Sequence, residues 1–347
     1  MPNCPEFALH CPLPVVDHEV VQMAHGGGGR LMQQLLERIF FRAFDDPALG
    51  ERHDGARLEV GGVRLAFTTD SYVVRPLFFP GGDIGSLAVN GTVNDLAMCG
   101  ARPRWLSAGF IIEEGLPIET LERVAASMRV AAAAAGVALV TGDTKVVDKG
   151  KGDGLFINTA GIGVIEHERV ITPRSVRPGD AVLVSGEPTG NIAIMSVREG
   201  LEFEGAITSD CAPLHGLVQA LLGGGVAVHC LRDLTRGGLA AALNEIAGRA
   251  GELHHGKAVL AEETVLGVRF SGWTRCMCAN EGRLVAFVAA EDAARALALV
   301  RGRPEGAGAA LIGGVGGEAP GLVTLESVIG VKRVLDLLSG EQLPRIC

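Results

Sequence analysis

The chain is 347 residues long, 48% of its residues are hydrophobic and 20% are charged, and its formal net charge is −9. This length suits two domains, and the composition is that of a globular protein rather than a disordered one. The negative charge argues against nonspecific nucleic-acid binding, and the lack of an apolar run of about 18 residues argues against a membrane span. Residues 1–18 carry no recognisable secretory signal, and eight cysteines are too few for a disulfide scaffold, so we expect a cytoplasmic protein.

Residues 1–44 form the first predicted segment, which is irregular and proline-rich up to about residue 25. Four consecutive glycines, Gly26 to Gly29, then precede apolar residues at the spacing of one helical face. An Asp-Asp-Pro sequence at residues 45–47 is expected to end that helix.

Residues 45–170 are predicted to form an N-terminal domain of mixed strands and helices. The pattern indicates two strands joined by a Gly61-Gly62 turn between residues 57 and 69. The elements that follow are a helix, a strand, a helix and two strands, over residues 86–100, 105–112, 118–135, 137–147 and 155–165. This alternation predicts an α+β domain.

A second strand-and-helix pattern, over residues 175–335, predicts a C-terminal α/β domain after a linker near residues 172–180. Its strands are predicted at residues 181–185, 226–231, 284–289 and 309–312, and its helices at residues 190–199, 213–222, 237–249 and 293–301. Residues 336–347 are predicted to be a flexible tail that ends in Cys347. The predicted fold class is therefore α/β, with an α+β N-terminal domain, an α/β C-terminal domain and a mobile tail.

The glycine tetrad at residues 26–29 offers main-chain N–H groups ahead of a helix. Such a geometry binds phosphate through the helix dipole and the unsatisfied amides, and Gly27 and Gly28 are the candidate contacts. The tetrad lacks the Lys-Ser/Thr pair of a P-loop and does not follow a strand in a GxGxxG unit. A flexible linker therefore stays an alternative.

Four aspartates stand at the ends of predicted elements or inside one, with few other charges around them. Asp70 and Asp143 end strands, Asp95 lies mid-helix beside Asn94, and Asp54 precedes the first strand. Buried carboxylates are costly unless they are paired or bind a cation, and oxygen ligands suit Mg²⁺ that bridges nucleotide phosphates. Turn capping is the better explanation for any single Asp, but the set together with the glycine tetrad favours Mg-ATP.

Three further residues are candidates for proton transfer or covalent chemistry. Lys145 follows Asp143 by two residues on an extended segment, so both side chains are expected on one side, and a surface lysine is the alternative. Glu281 lies in a turn before a strand and is a candidate general base. Cys347 is a thiol at the last residue, where it can be modified and presented to different partners.

Several short motifs occur together from about residue 20 to the last residue. They are His25-Gly26-Gly27-Gly28-Gly29, Thr68-Thr69-Asp70-Ser71, Phe79-Pro80-Gly81-Gly82-Asp83-Ile84-Gly85, Gly91-Thr92-Val93-Asn94-Asp95-Leu96-Ala97-Met98, Glu113-Glu114-Gly115, Thr141-Gly142-Asp143-Thr144-Lys145-Val146-Val147, Phe156-Ile157-Asn158-Thr159-Ala160-Gly161, Arg232-Asp233-Leu234-Thr235-Arg236-Gly237-Gly238, Asn280-Glu281-Gly282 and Pro344-Arg345-Ile346-Cys347. This set resembles the HypE family of hydrogenase maturation proteins. These are carbamoyl dehydratases of the superfamily that includes aminoimidazole ribonucleotide synthetase and selenophosphate synthetase.

The resemblance implies an aminoimidazole ribonucleotide synthetase-like fold, a homodimer joined through the N-terminal sheets, and ATP and Mg²⁺ as cofactors. It implies that ATP drives the dehydration of an S-carbamoyl group on Cys347 to a thiocyanate. The carbamoyltransferase HypF would supply the carbamoyl group, and the cyanide would pass to iron on the HypC–HypD complex for a [NiFe]-hydrogenase. Carried over by motif, the metal contacts are Asp54, Asp70 and Asp95, the nucleotide contacts are Gly27, Gly28, Asn94, Asp143 and Thr144, and the catalytic residues are Cys347, Lys145 and Glu281.

The sequence departs from the family pattern at Gly190-Asn191-Ile192-Ala193 and around Cys276 and Cys278, whose spacing is too short for a usual zinc site. Two alternatives to the dehydratase stay open. A selenophosphate synthetase-like small-molecule kinase would carry its reactive residue near the N-terminus, where Cys4 and Cys11 are poor matches. A noncatalytic nucleotide-binding scaffold would dock maturation partners through its tail.

Overall fold

The structure is a computed structural model that describes residues 18–187, 194, 197, 208–253, 257–261, 275–317, 321–326 and 331–337. Most of the helix expected at residues 190–199 lies outside the described residues. The same holds for residues 338–347 of the tail, which include Cys347.

Short helical elements lie on both sides of the glycine tetrad, and a helix follows it as the sequence predicts. They are a 3-10 turn at Met23–Gly26, helix α1 at Arg30–Leu35, a π-helical turn at Leu36–Phe41 and helix α2 at Arg42–Phe44. Asp45 ends this helical segment in the left-handed conformation, with a φ of 43°. A 3-10 turn at Leu49–Glu51 then leads toward the first strand.

The N-terminal sheet has five strands in the order β1-β2-β7-β5-β6. The strands are β1 at Ala56–Val60, β2 at Val63–Tyr72, β5 at Arg102–Glu113, β6 at Ala138–Val147 and β7 at Leu155–Val164. Gly61 and Gly62 join β1 to β2 with φ values of 59° and 79°, which is the left-handed pair that a two-residue hairpin requires. Only β5 and β6 are parallel within this sheet, because helix α4, at Ile118–Ala135, carries the chain back between them.

Helix α3, at Ile84–Met98, lies between the two domains. It follows a small hairpin of strands β3 at Phe78–Phe79 and β4 at Gly82–Asp83. The Asp83 side chain accepts hydrogen bonds from the main-chain N–H groups of Gly85 and Ser86, which caps the first turn. Nearly all of α3 is buried, because it packs against the N-terminal sheet, helix α4 and elements of the C-terminal domain.

The C-terminal sheet has seven strands in the order β14-β13-β10-β12-β8-β11-β9. The strands are β8 at Ala181–Val184, β9 at Val228–Asp233, β10 at Lys257–Ala261, β11 at Leu284–Val288, β12 at Ala310–Gly316, β13 at Leu322–Glu326 and β14 at Lys332–Val334. Neighbouring strands are antiparallel except for β10 and β13.

Helices cover both faces of the C-terminal sheet. They are α5 at His215–Gly223, α6 at Gly238–Leu253 and α7 at Ala293–Arg301. Along β8, Val182 and Val184 belong to the apolar cluster beneath α6, and Leu183 belongs to the cluster beneath α5 and α7. The mixed α and β content of both domains is confirmed, and the second sheet is largely antiparallel. Short 3-10 turns lie at Pro173–Ser175, Arg275–Met277, Ala290–Asp292 and Pro304–Gly306.

Membrane insertion has no support from the described helices. None of them is both long enough and apolar enough to cross a bilayer.

Candidate functional site

Three carboxylates from distant parts of the chain meet at the boundary between the domains. Asp54 lies in the loop before β1, Asp95 in the middle of α3 and Asp233 at the end of β9. One ligand oxygen of each lies within 4.8 Å of the others. We call Asp54, Asp95 and Asp233 the acidic triad. Thr68 donates a hydrogen bond to Asp95 Oδ2 at 2.8 Å, and Thr235 donates to Asp233 Oδ1 at 3.3 Å.

The acidic triad is short of compensating positive charge. Burial raises the pKa of Asp54 to about 6, with Arg232 opposing the rise and Glu245 adding to it. The pKa values of Asp95 and Asp233 are raised well above the ordinary range for Asp, first by burial and then by neighbouring carboxylates. A bound cation lowers the energy of three such carboxylates, because it offsets both their desolvation and their mutual repulsion.

Two oxygens of the acidic triad, Asp54 Oδ2 and Asp233 Oδ2, are buried and make no hydrogen bond within the described part of the chain. Unsatisfied buried carboxylate oxygens are uncommon, because their lost hydration is costly. Hard divalent cations prefer carboxylate oxygens as ligands. The residues of the triad therefore fit Mg²⁺.

The acidic triad lines a cavity of about 390 Å³ between the N-terminal helical segment and the C-terminal domain. This volume lies within the range of small-molecule sites. The other polar residues that line it include Gln33, Arg52, Thr69, Asp70, Arg232, Thr235, Arg236, Asn244, Glu245 and Arg249. A wall that carries both carboxylates and arginines suits a ligand that is anionic and binds with a cation.

Gly28 also lines the cavity, where the glycine tetrad contacts the turn after β9. Its φ is +72°, and a Cβ at this position would lie 2.8 Å from Arg236 Cβ and 2.9 Å from the Arg236 carbonyl oxygen. Glycine is therefore required for this close approach. Gly27 follows the 3-10 turn, donates its main-chain N–H to Ala24 O at 3.4 Å, and is not among the described residues that line the cavity.

Asn94 and Glu281 are both buried, beside the triad rather than on the cavity wall. The Asn94 side-chain amide donates to the main-chain oxygens of Ala212 at 3.1 Å and Glu281 at 3.3 Å, and its oxygen accepts from Leu214 N–H at 2.7 Å. Burial raises the pKa of Glu281 well above the ordinary range, and the negative charge of Asp233 adds to that rise. Glu281 therefore lies within the electrostatic field of the triad.

Asp143, Thr144 and Lys145 lie on β6, an edge strand whose residues are nearly all exposed. Lys145 Nζ is 3.0 Å from Asp143 Oδ2, so the two side chains share one side of the strand as their spacing predicts. The hydrogen bond from Lys145 lowers the pKa of Asp143. None of the three lines the described cavity, and they stay predictions as nucleotide or proton-transfer residues.

The metal contacts predicted from the sequence are Asp54, Asp70 and Asp95, and Asp233 is not among them. The structure places Asp70 on the cavity wall and Asp233 in the triad. Asp233 ends a buried strand, which is the position that the sequence predicts for Asp70, so the same signal is present in the sequence. The structure continues β2 past Asp70 to Tyr72. Cys347 lies outside the described residues. Cys276 and Cys278 belong to no group of metal ligands in the described ranges.

Two family models match most of the chain. The model of the AIR synthase related protein N-terminal domain matches residues 52–165, and that of the C-terminal domain matches residues 177–324. "Carbamoyl dehydratase HypE" of Azotobacter vinelandii is 49% identical over 331 residues, which cover 94% of this chain and 97% of that protein. The chain belongs to the HypE family.

Other HypE proteins match to the same extent. HypE of Escherichia coli K12 is 49% identical over 339 residues, which cover 94% of this chain and 99% of that protein. A crystal structure of HypE in complex with ATP has a TM-score of 0.77 and 47% identity, and it covers 94% of this chain and 100% of its own. HypE in a HypE–HypF complex has a TM-score of 0.81 and 43% identity, and it covers 88% of this chain and 99% of its own. The aminoimidazole ribonucleotide synthetase-like fold is thereby confirmed.

Proposed function

We propose that this chain uses ATP to dehydrate an S-carbamoyl group on Cys347 to a thiocyanate, which supplies the cyanide ligand of a [NiFe]-hydrogenase iron centre. The observation that carries the proposal is the acidic triad on a cavity that also contacts the glycine tetrad, in a chain nearly half identical to carbamoyl dehydratases over almost its whole length. A nucleotide bound with a cation needs such acidic and glycine-lined walls.

Asp54, Asp95 and Asp233 are proposed to hold Mg²⁺, with Asp70 on the adjoining wall. When bound there, Mg²⁺ neutralises charge on the phosphates of ATP. Gly28, Arg236 and Arg249 line the same cavity and are proposed to face the nucleotide. Gly27, Asn94, Asp143 and Thr144 remain proposed nucleotide contacts on the strength of their motifs alone.

The proposed reaction has two steps. The carbamoyl oxygen attacks the terminal phosphorus of ATP, ADP leaves, and one proton is lost from the carbamoyl nitrogen. The new C–O–P linkage turns a poor leaving group into a good one. In the second step the C–O bond breaks, phosphate leaves with its electron pair, and the nitrogen loses its second proton to give S–C≡N. Tethering the substrate to Cys347 supplies proximity to ATP.

Glu281 is proposed to accept a proton from the carbamoyl nitrogen. Its burial and the nearby negative charges raise the pKa of its carboxyl, which makes the ionised form a stronger base. Lys145 is proposed as a second proton-handling residue, although it lies on the exposed strand β6.

The proposed partners follow from the family and from one exposed surface. We propose HypF as the donor of the carbamoyl group, because a HypE–HypF complex is known, and the HypC–HypD complex as the cyanide acceptor. We propose a homodimer in which a second copy covers β6, since Val140 and Val146 on this edge strand are 60% and 68% exposed. The proposed location is the cytoplasm.

The test is intact mass spectrometry of the full chain after incubation with HypF, carbamoyl phosphate and ATP. We expect the mass of one carbamoyl group on the chain, followed by the loss of one water when Mg-ATP is present. Cys347→Ala is expected to abolish both changes, and Cys278→Ala, a change of the same type at a partly buried cysteine, is expected to preserve them. ATP turnover without water loss would instead favour a small-molecule kinase, and an unmodified chain that only binds ATP would favour a scaffold.

A further inference from the structure

Arg232, the residue before Asp233 on β9, connects this strand of the acidic triad to two other parts of the molecule. Its side chain is only 12% exposed. Arg232 Nη1 lies 3.1 Å from Asp54 Oδ1 and 3.1 Å from Glu245 Oε2, and Nη2 donates to the main-chain oxygen of Arg52 at 2.8 Å. One guanidinium therefore contacts the loop before β1, at Arg52 and Asp54, and helix α6, at Glu245.

Asp54 lies in a loop rather than in a helix or strand, and Thr68 Oγ1 holds its main-chain oxygen at 2.8 Å while Arg232 contacts its side chain. The Arg232 contact engages Oδ1, while Oδ2 stays buried and makes no hydrogen bond to a described residue. The planar guanidinium holds its Nη1 partners, Asp54 and Glu245, and its Nη2 partner, the Arg52 oxygen, in one fixed arrangement, which a single ammonium group does not reproduce. Arg232 thus leaves one Asp54 oxygen available in a defined direction.

The same network reaches the segment that carries the glycine tetrad. Gln33 on α1 donates to Glu245 Oε1 at 3.4 Å, and Glu245 Oε2 contacts Arg232. The network therefore joins α1, α6 and the loop of Asp54 around one cavity.

We infer that Arg232 is a positioning residue for the cation site, acting on Asp54 and itself anchored by Glu245. This inference rests on the proposed function, because it concerns the cation that the triad would hold. Arg232 does not ligate the cation. It orients the Asp54 carboxylate and keeps the loop at Arg52 against the C-terminal domain.

The charge of Arg232 and its positioning role predict opposite effects of its removal. A positive charge near a cation site repels the cation, so loss of that charge alone would tighten cation binding. Loss of the orientation of Asp54 would weaken it, since residues that orient metal ligands typically account for about 10- to 100-fold in affinity. The sign of the change therefore separates the two roles.

The experiment measures Mn²⁺ affinity of the full chain without nucleotide, from the electron paramagnetic resonance signal of free Mn²⁺. We expect Arg232→Gln and Arg232→Lys each to weaken Mn²⁺ binding by about 10-fold or more. Glu245→Gln keeps Arg232 but removes the ion pair between Arg232 and Glu245. We expect this variant to lose less Mn²⁺ affinity, about threefold. Arg295→Gln breaks the pair between a half-exposed arginine and Asp292, neither of which lines the cavity, and should leave Mn²⁺ affinity unchanged.

Tighter Mn²⁺ binding by Arg232→Gln, or wild-type affinity in Arg232→Lys, would overturn the positioning role. Wild-type Mn²⁺ affinity in Asp233→Asn would overturn it as well, since the triad would then not be the site. If an Arg232 variant fails to fold, as judged by circular dichroism, the Mn²⁺ affinity of Glu245→Gln tests the positioning role instead. The expected loss of about threefold supports that role, and wild-type affinity overturns it. A chain that passes these tests but never loses water in the mass assay would contradict the proposed reaction and leave the role of Arg232 intact.

Discussion

The side-chain amide of Asn94 donates a hydrogen bond to the main-chain oxygen of Glu281, with the two atoms 3.3 Å apart. Asn94 precedes Asp95 on α3, and Glu281 is the candidate base of the C-terminal domain. The helix that brings Asp95 into the acidic triad thus also fixes the segment of Glu281. The proposed cation site and the segment of the proposed proton acceptor therefore both depend on consecutive residues of one buried helix.

Asn94→Ala should destabilise the fold by about 3 kcal/mol, because a buried side chain loses its three hydrogen bonds across the domain boundary and their partners are left unsatisfied. Urea denaturation measures this free energy of unfolding. Asn158→Ala makes the same chemical change at an exposed residue and should cost less than about 1 kcal/mol. Equal losses in both variants would contradict the structural role of Asn94.

Asp233→Asn should lower Mn²⁺ affinity by about 100-fold while raising the thermal stability of the metal-free chain. The reason is that removal of one buried charge relieves its repulsion with Asp54 and Asp95 but deletes a ligand. Calorimetry without and with Mn²⁺ measures both effects. Asp153→Asn, at a half-exposed carboxylate paired with Arg75, should change neither quantity. A metal-free Asp233→Asn chain that melts below the wild type would argue against stored repulsion in the triad.

The metal-free chain should lose stability relative to Asp54→Asn as the pH rises through about 6. The pKa of Asp54 is raised from 3.8 to about 6 in the folded state, so the folded chain binds the proton more tightly than the unfolded chain. Its contribution to stability is therefore present below that window and is lost as the pH rises through it. Thermal melting from about pH 4 to pH 7 measures this difference, and Mg²⁺ should reduce it because it stabilises the ionised carboxylates. Parallel pH profiles of the two chains would contradict the assigned rise in the pKa of Asp54.

Glu281→Gln and Lys145→Ala should each leave ATP affinity within about threefold of the wild type yet block water loss from the carbamoylated chain. Neither residue lines the described cavity, which is why nucleotide binding should survive. Titration calorimetry measures ATP affinity, and intact mass spectrometry measures dehydration. Lys149→Ala, in the exposed loop after β6, is the control for loss of a surface lysine. A large drop in ATP affinity would move either residue to the nucleotide site.

Val140→Glu should weaken self-association by about 100-fold or more, because it places a charge on the exposed edge strand that we propose a second copy covers. Analytical ultracentrifugation across a range of protein concentrations measures the change. Val130→Glu is a matched control, since Val130 on α4 is 61% exposed and Val140 is 60% exposed. Identical behaviour of the two variants would place the dimer interface elsewhere.

Local patterns gave most of the elements to within a few residues. The Gly61-Gly62 turn, the helix around Asp95 and the helix at Ala293–Arg301 all follow from turn residues and apolar periodicity, which depend only on neighbours along the chain. The largely antiparallel pairing of the C-terminal sheet did not follow from them. Strand order depends on contacts between residues far apart in sequence, and periodicity carries no information about those contacts.

Local sequence was sufficient to predict acidic residues at or within strands and helices, four glycines before a helix and a resemblance to HypE. The prediction that Asp70 and Asp143 end strands was wrong, since β2 continues to Tyr72 and β6 to Val147. Which of the acids meet depends on the tertiary structure. Asp233 joins Asp54 and Asp95, Asp70 lines the wall beside them, and Asp143 pairs with Lys145 on an exposed strand. The physical reason is that a carboxylate becomes a ligand or a surface ion pair through its burial and its charged neighbours, and packing of the two domains around α3 sets both.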